Sequence, residues 1–287
     1  MNSIIDKILS TETSNGARFW ARHDGDIHAP AGFSTIDVLG TLGLLGAKAT
    51  DDIRIQQAID FIFSYFQDDG QFRYSPTSAK LPCITARILT ALGRLGFSDE
   101  RMEMSYTNLL KTQSEDGGWR CATVRLGKSP ETDASNPGTT LYVLDAFLYR
   151  KKSIQESIQL DSGVSFLLNH WDYRKPLGPC EFGIGTTFMK TEFPLLRYNL
   201  LYYCYVLSNY RTARTDTRFL DATSLLRSKY REGGIINENP HKRWQDYKFA
   251  RKGEICKPAL SLVEDYLFTE ASGKNADSPT ASSFVAY

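Results

Sequence analysis

The sequence contains no Cys-x-x-Cys pair, no strong excess of either charge and no long apolar run, and each absence closes off a class of protein. Five cysteines (Cys83, Cys121, Cys180, Cys204, Cys256) are an odd number, widely spread. They argue for reduced thiols rather than a disulfide framework, and they write no compact zinc knuckle. Lys and Arg total 34 against 33 Asp and Glu, a net charge of +1, which speaks against a general nucleic-acid binder. No stretch approaches the roughly 18 apolar residues of a spanning helix. The N-terminal MNSIIDKILS carries Asp6 and Lys7 where an export signal would be apolar, so a cytoplasmic protein is expected. At 287 residues and 41% hydrophobic, the chain can bury a substantial core.

What is present is periodic. Acidic-glycine turns recur at Asp24-Gly25-Asp26, Asp68-Asp69-Gly70, Asp116-Gly117-Gly118 and Glu232-Gly233-Gly234, the first three about 45–47 residues apart. That period suits a helix pair with its connection. The gap before the last turn leaves room for one longer, diverged unit around Gly178. Between turns, an all-round apolar segment alternates with a one-faced amphipathic one: Ser34–Leu45 then Asp52–Phe66, Pro82–Leu95 then Asp99–Lys111, Pro137–Leu148 then Ile154–Leu168, Pro194–Leu207 then Thr217–Lys229. A final segment, Pro258–Phe268, completes the series. Pro82, Pro137, Pro194 and Pro258 each stand where a buried helix is predicted to start, a position where the missing N–H costs nothing.

Helices apolar all round belong inside and one-faced helices wrap them. The expectation is therefore an all-α protein, an α/α toroid built as an incomplete barrel of about five helix pairs. It spans residues 1–272 as one domain, with 273–287 a small, polar, disordered tail.

The segment Leu109-Leu110-Lys111-Thr112-Gln113-Ser114-Glu115-Asp116-Gly117-Gly118-Trp119 resembles the QW motif of squalene and terpene cyclases and of protein prenyltransferase β-subunits. Gln67-Asp68-Asp69-Gly70-Gln71-Phe72 is similar, with Phe in place of Trp. The chain also resembles short bacterial prenyltransferase/squalene-oxidase repeat proteins through Pro82-Cys83 and Trp119-Arg120-Cys121. The resemblance implies a toroid with a central cavity for an isoprenoid-like substrate. It does not bring the familiar chemistry with it. The Asp-x-Asp-Asp acid of class II cyclases is missing, and so is the Asp, Cys and His zinc set of the prenyltransferases.

Four groups are candidates for chemistry. Cys83, Cys121 and Cys256 fall near predicted inner-helix starts or turns. There thiolates are favoured and read either as zinc ligands, with His28, His170, His241 or Cys180 as further donors, or as a nucleophile; the alternative is inert buried thiols. Asp37, Arg87, Asp145 and Arg197, with Glu264 or Asp265, interrupt inner helices, and a buried charge must be paired or face a wet lumen. They read either as catalytic acid/base groups or as structural pairs such as Asp37 with Arg87. Tyr198, Tyr202 and Tyr205 recur at i, i+4 and i+7 and, with Trp119, Phe147 and Trp171, line a substrate pocket or simply pack the core. The basic stretch His241–Lys252, with Arg243, and the loop residues Arg120, Arg125 and Lys128 suit a phosphate or a solvated loop.

Three functions follow. One is a cyclase- or prenyltransferase-like enzyme acting on a hydrophobic or isoprenoid-like molecule. The second is a non-catalytic toroid that binds a peptide, lipid or protein. The third is a zinc enzyme using the cysteines. An α/α-barrel carbohydrate lyase or glycosidase is a more distant alternative.

Overall fold

A computed structural model describes residues 3–121, 130–178 and 180–268. The expected tail, 273–287, lies outside them, as do Arg125 and Lys128. In chain order the helices are α1 (Ser3–Leu9), α2 (Thr35–Leu44), α3 (Ile53–Phe63), α4 (Pro82–Arg94), α5 (Glu100–Lys111), α6 (Pro130–Asp133) and α7 (Pro137–Ala146). They continue as α8 (Ile154–Tyr173), α9 (Leu200–Leu207), α10 (Arg211–Arg214), α11 (Thr217–Arg227), α12 (Lys257–Ser261) and α13 (Glu264–Leu267). Three short antiparallel strands, β1 (Tyr230–Arg231), β2 (Gly234–Ile236) and β3 (Ile255–Cys256), lie side by side in that order.

The architecture is an all-α α/α toroid carrying this one small sheet. Inner helices α2, α4, α7 and α9 pack in sequence, and α7 is buried at every position from Pro137 to Ala146. The outer helices bury one stripe each: Ile55, Ala58, Ile59, Ile62 and Phe63 on α3, and Met102, Ser105, Tyr106 and Leu109 on α5. Local chemistry fixes where each begins. Pro82 and Pro137 occupy the first turn of α4 and α7. Asp52, Asp99 and Asp216 cap α3, α5 and α11, each accepting the backbone N–H of an Arg two residues on and holding that Arg's side chain too. Ser34 with Asp37 and Ser153 with Glu156 form capping boxes on α2 and α8.

The acidic-glycine turns set the spacing between layers. Gly70 and Gly117 take φ of +81° and +87°, and a Cβ on Gly117 would lie 2.6 Å from the Ser162 carbonyl of α8. After these two turns an aromatic enters the core, and its backbone N–H donates to a Thr in the first turn of the next inner helix. Phe72 donates to Thr85 at 3.1 Å, and Trp119 to Thr140 at 3.0 Å.

The later part departs from the expected pattern. Pro194 opens no helix: the Phe193–Pro194 peptide is cis, and α9 starts only at Leu200, capped by Asn199. The segment 194–199 crosses the end of the inner bundle instead. The last expected helix, Pro258–Phe268, is broken into α12 and α13. The ring is closed by loop rather than helix. Trp244 Nε1 donates to the Gly32 carbonyl at 2.6 Å, Arg243 to Asn15 Oδ1 at 3.0 Å, and Lys7 to the Asp246 carbonyl at 3.2 Å.

Candidate functional site

A cavity of about 270 Å³ opens at one end of the ring. Its walls come from the starts of the inner helices: Asp37 in the first turn of α2, Cys83 and Ile84 in that of α4, and Thr139 in that of α7. One helical turn further in are Arg87 and Tyr142; Leu196 and Arg197, from the crossing segment before α9, complete that side. Phe182, Cys180, Cys121, His28 and His241 close the remainder. The surface is mostly apolar, with a few polar groups converging on it. Three helix N-termini face the same space, and although their first-turn N–H groups are largely capped, the positive ends of the helix dipoles favour an electron-rich or anionic guest.

Arg87 organises the polar side. One guanidinium nitrogen pairs with Asp37 Oδ1 and the other lies 3.0 Å from His28 Nδ1, while the cation sits 5.5 Å from the centre of the Tyr142 ring. Asp37 Oδ2 accepts from the Ser34 N–H and hydroxyl at 3.1 and 2.8 Å, so this carboxylate is saturated. Arginine can only donate; Nδ1 of His28 therefore accepts, and the imidazole proton sits on Nε2. Burial, and then the Arg87 charge, lower the His28 pKa to about 4, so the ring is neutral at physiological pH.

A second ion pair stands at the rim. Arg197 donates through Nε to Glu192 Oε2 at 2.6 Å and through another nitrogen to the Asn239 carbonyl at 2.8 Å. Glu192 is 2% exposed, and its other oxygen, Oε1, is buried without a hydrogen-bond partner. Burial raises this carboxyl to about 7, against the opposing pull of Arg197. Its segment is fixed by Asn237, which accepts from the Phe193 N–H and donates to the Phe193 carbonyl.

Three thiols share the cavity wall: Cys83, Cys121 and Cys180. Cys256 belongs instead to β3, opposite Ile235, and does not line the cavity. The expected grouping of Cys83, Cys121 and Cys256 is thus corrected, because the last segment enters as a strand rather than as an inner helix. No three His, Cys, Asp or Glu among the described residues are placed to hold a metal ion.

Deeper in the ring the bundle is packed. A void of about 20 Å³, room for a single water, lies among Gly40, Thr41, Thr90, Arg94 and Tyr202. Asp145 sits below it with no exposure, accepting from Arg94 at 2.6 Å, Tyr202 at 2.5 Å and Tyr149 at 3.3 Å. Tyr205 joins through the Tyr149 hydroxyl at 3.0 Å. Asp145 is therefore the centre of a satisfied buried network and does not line the mouth cavity, though its partners Arg94 and Tyr202 share the small void with Asp37 and Arg87.

The residues expected to bind substrate fall elsewhere. Trp119 is fully buried, its Nε1 donating to the Leu109 carbonyl at 2.7 Å. Tyr198 bonds His170 Nδ1 at 3.0 Å and packs on Phe188. Arg120 pairs with Asp133 at the surface, and Arg243 holds the ring closure. Tyr198 precedes the Asn199 cap of α9 and is not helical, so the expected i, i+4, i+7 stripe does not form: Tyr198 meets His170 and Phe188, whereas Tyr202 and Tyr205 join the network around Asp145. Glu192 was missed: Thr191-Glu192-Phe193 carries no helical period or cap to signal a buried carboxyl.

No family model matches this chain, and no curated protein matches it. Among solved structures, similar chains include a variant of the type II terpene cyclase MstE from Scytonema in complex with geranylgeranyl dihydroxybenzoate, its substrate. That match has 15% identity and a TM-score of 0.48, and covers 93% of this chain and 73% of that one. A second variant, in complex with the product merosterolic acid A, has 13% identity and a TM-score of 0.45, covering 93% and 70%. The apo enzyme has 11% identity and a TM-score of 0.43, covering 93% and 78%. At these levels the arrangement of this chain's own helices is what defines its fold.

Proposed function

We propose that this protein is an enzyme that acts on a hydrophobic, isoprenoid-like small molecule whose polar head enters the mouth cavity. The observation that carries this reading is the Arg87–His28 pair set into a mostly apolar cavity at the N-termini of three inner helices. Neutral His28 offers Nε2–H to a substrate oxygen, and Arg87 behind it supplies the positive charge. Ile84, Tyr142, Phe182 and Leu196 receive the apolar part. At about 270 Å³ the cavity falls just below the ~300–1,000 Å³ of drug-sized ligand pockets. A long chain therefore leaves its far end outside the mouth. Incubation with geranyl and longer isoprenyl alcohols and diphosphates, followed by mass spectrometry, tests the reading. Conversion by the wild type and its loss in His28→Asn are expected, and no conversion of any member of the set would overturn it.

The packed lumen favours one second reading, a toroid that binds the same class of molecule at its mouth without transforming it. Saturable binding of these ligands with no product formed would select it.

A further inference from the structure

We propose that Cys121 and Cys83 form a thiol–disulfide exchange site in the mouth cavity, taking a low-molecular-weight disulfide as co-reactant. The proposal shares the cavity with the reading above but rests only on the sulfurs, so either can fail without the other.

Three separate chain segments bring the thiols together, and each is anchored. Cys83 is held in the first turn of α4, directly after Pro82. Cys121 follows Trp119, whose backbone and indole N–H groups are both bonded in the core. Cys180 stands in the turn beyond Leu177, which pairs with Phe182. Cys83 lies within hydrogen-bonding reach of Cys121, and so does Cys180. Cys180 is exposed, Cys121 is buried and Cys83 lies between, so the sulfurs connect the surface with the cavity wall.

The surroundings favour one sulfur as the nucleophile. A hydrogen bond to Cys121, then burial, raises the Cys83 thiol well above its usual value. Burial, then the charge on Cys121, pushes Cys180 up to about 11. Cys83 and Cys180 can each offer an S–H to Cys121, and this arrangement assigns the thiolate to Cys121 in the proposed reaction. Arg87 and the N-terminus of α4 act on Cys83 in the opposite sense to burial, easing its loss of a proton when it serves as the resolving thiol.

The reaction has two steps. The Cys121 thiolate attacks one sulfur of the disulfide RSSR, forming Cys121–S–S–R and expelling RS⁻. Cys83 then loses its proton to that RS⁻ and attacks the Cys121 sulfur, closing a Cys83–Cys121 disulfide and expelling the second RS⁻, which is protonated by solvent. Two protein thiols are oxidised and RSSR is reduced to two RSH. An adjacent resolving thiol distinguishes this site from a solitary reactive cysteine, which would stop at the mixed disulfide.

The test is incubation of the purified full chain with oxidised glutathione, followed by thiol counting and peptide mass mapping. The expected result is loss of two thiols and a peptide pair joined through Cys83 and Cys121. In Cys83→Ser the mixed disulfide with glutathione should persist on Cys121. No loss of thiols, modification confined to Cys180, or a Cys121–Cys180 bridge would each overturn the assignment. The wild-type map is decisive alone, whether or not the variant folds.

Discussion

His28, beside Arg87, and Glu192, beside Arg197, are displaced in opposite directions, which makes the pH dependence of stability informative. His28 falls from an ordinary 6.5 to about 4. The unfolded chain therefore takes up a proton that the folded one refuses, and stability drops as pH falls from about 6.5 towards 4. Glu192 rises from 4.5 to about 7, so its contribution is complete below about 4.5 and is lost as pH rises through 7. Each shift corresponds to about 3 kcal/mol. The two oppose each other between about pH 4.5 and 6.5 and leave the wild type nearly flat there. Chemical denaturation across this range should show Glu192→Gln losing stability on acidification, and His28→Asn losing it as pH rises. Parallel pH profiles for the two variants would refute both assignments. The sequence revealed only part of this chemistry. Asp37 and Arg87 stand out as charges in apolar helices, and one of the two roles open to them was to pair with each other. His28, two residues before the cis Ala29–Pro30 bond, and Glu192 lie in irregular backbone whose path no periodicity encodes.

At the scale of the element, the outer helices share a device that lies in plain view in the sequence: Asp52-Ile53-Arg54, Asp99-Glu100-Arg101 and Asp216-Thr217-Arg218. Each Asp accepts a backbone N–H and clamps the Arg side chain, and each carboxyl is held below its usual pKa, first by that Arg. Replacing Asp99 by Ala should cost about 1 kcal/mol, the usual value of an N-cap, in a denaturant titration. Asp99→Asn should recover most of it, because Asn caps as well. A loss of several kcal/mol would mean that the ion pair, and not the cap, is the main contribution. Helix limits up to α8 agree with the apolar periodicity within a few residues, because capping and burial act locally there. At Pro194 the agreement breaks, because a proline marks a helix start but also permits the cis turn found here; it resumes at α11, Thr217–Arg227 against the expected Thr217–Lys229.

Across the whole molecule, ring closure depends on contacts more than 200 residues apart in sequence, which no local pattern announces. Trp244 is fully buried, its ring tilted at 47° against Phe33 with centroids 4.7 Å apart, and bonded to Gly32. Trp244→Ala should lower stability by about 3–5 kcal/mol, and the N-terminal segment should lose hydrogen-exchange protection along with residues 241–250. Protection lost in only one of the two would show that they do not close the ring together. The same closure places His241 and Gly32 on the cavity wall, so the mouth is shaped by two segments more than 200 residues apart in the chain. The central claim is that this mouth, and not the packed lumen, receives the head of an isoprenoid-like molecule beside His28 and Arg87. Calorimetric titration with geranyl diphosphate tests it most directly. One saturable site is expected in the wild type, weakened roughly tenfold or more by His28→Asn, about 1.4 kcal/mol. Absence of binding, or affinity indifferent to His28, would contradict the account.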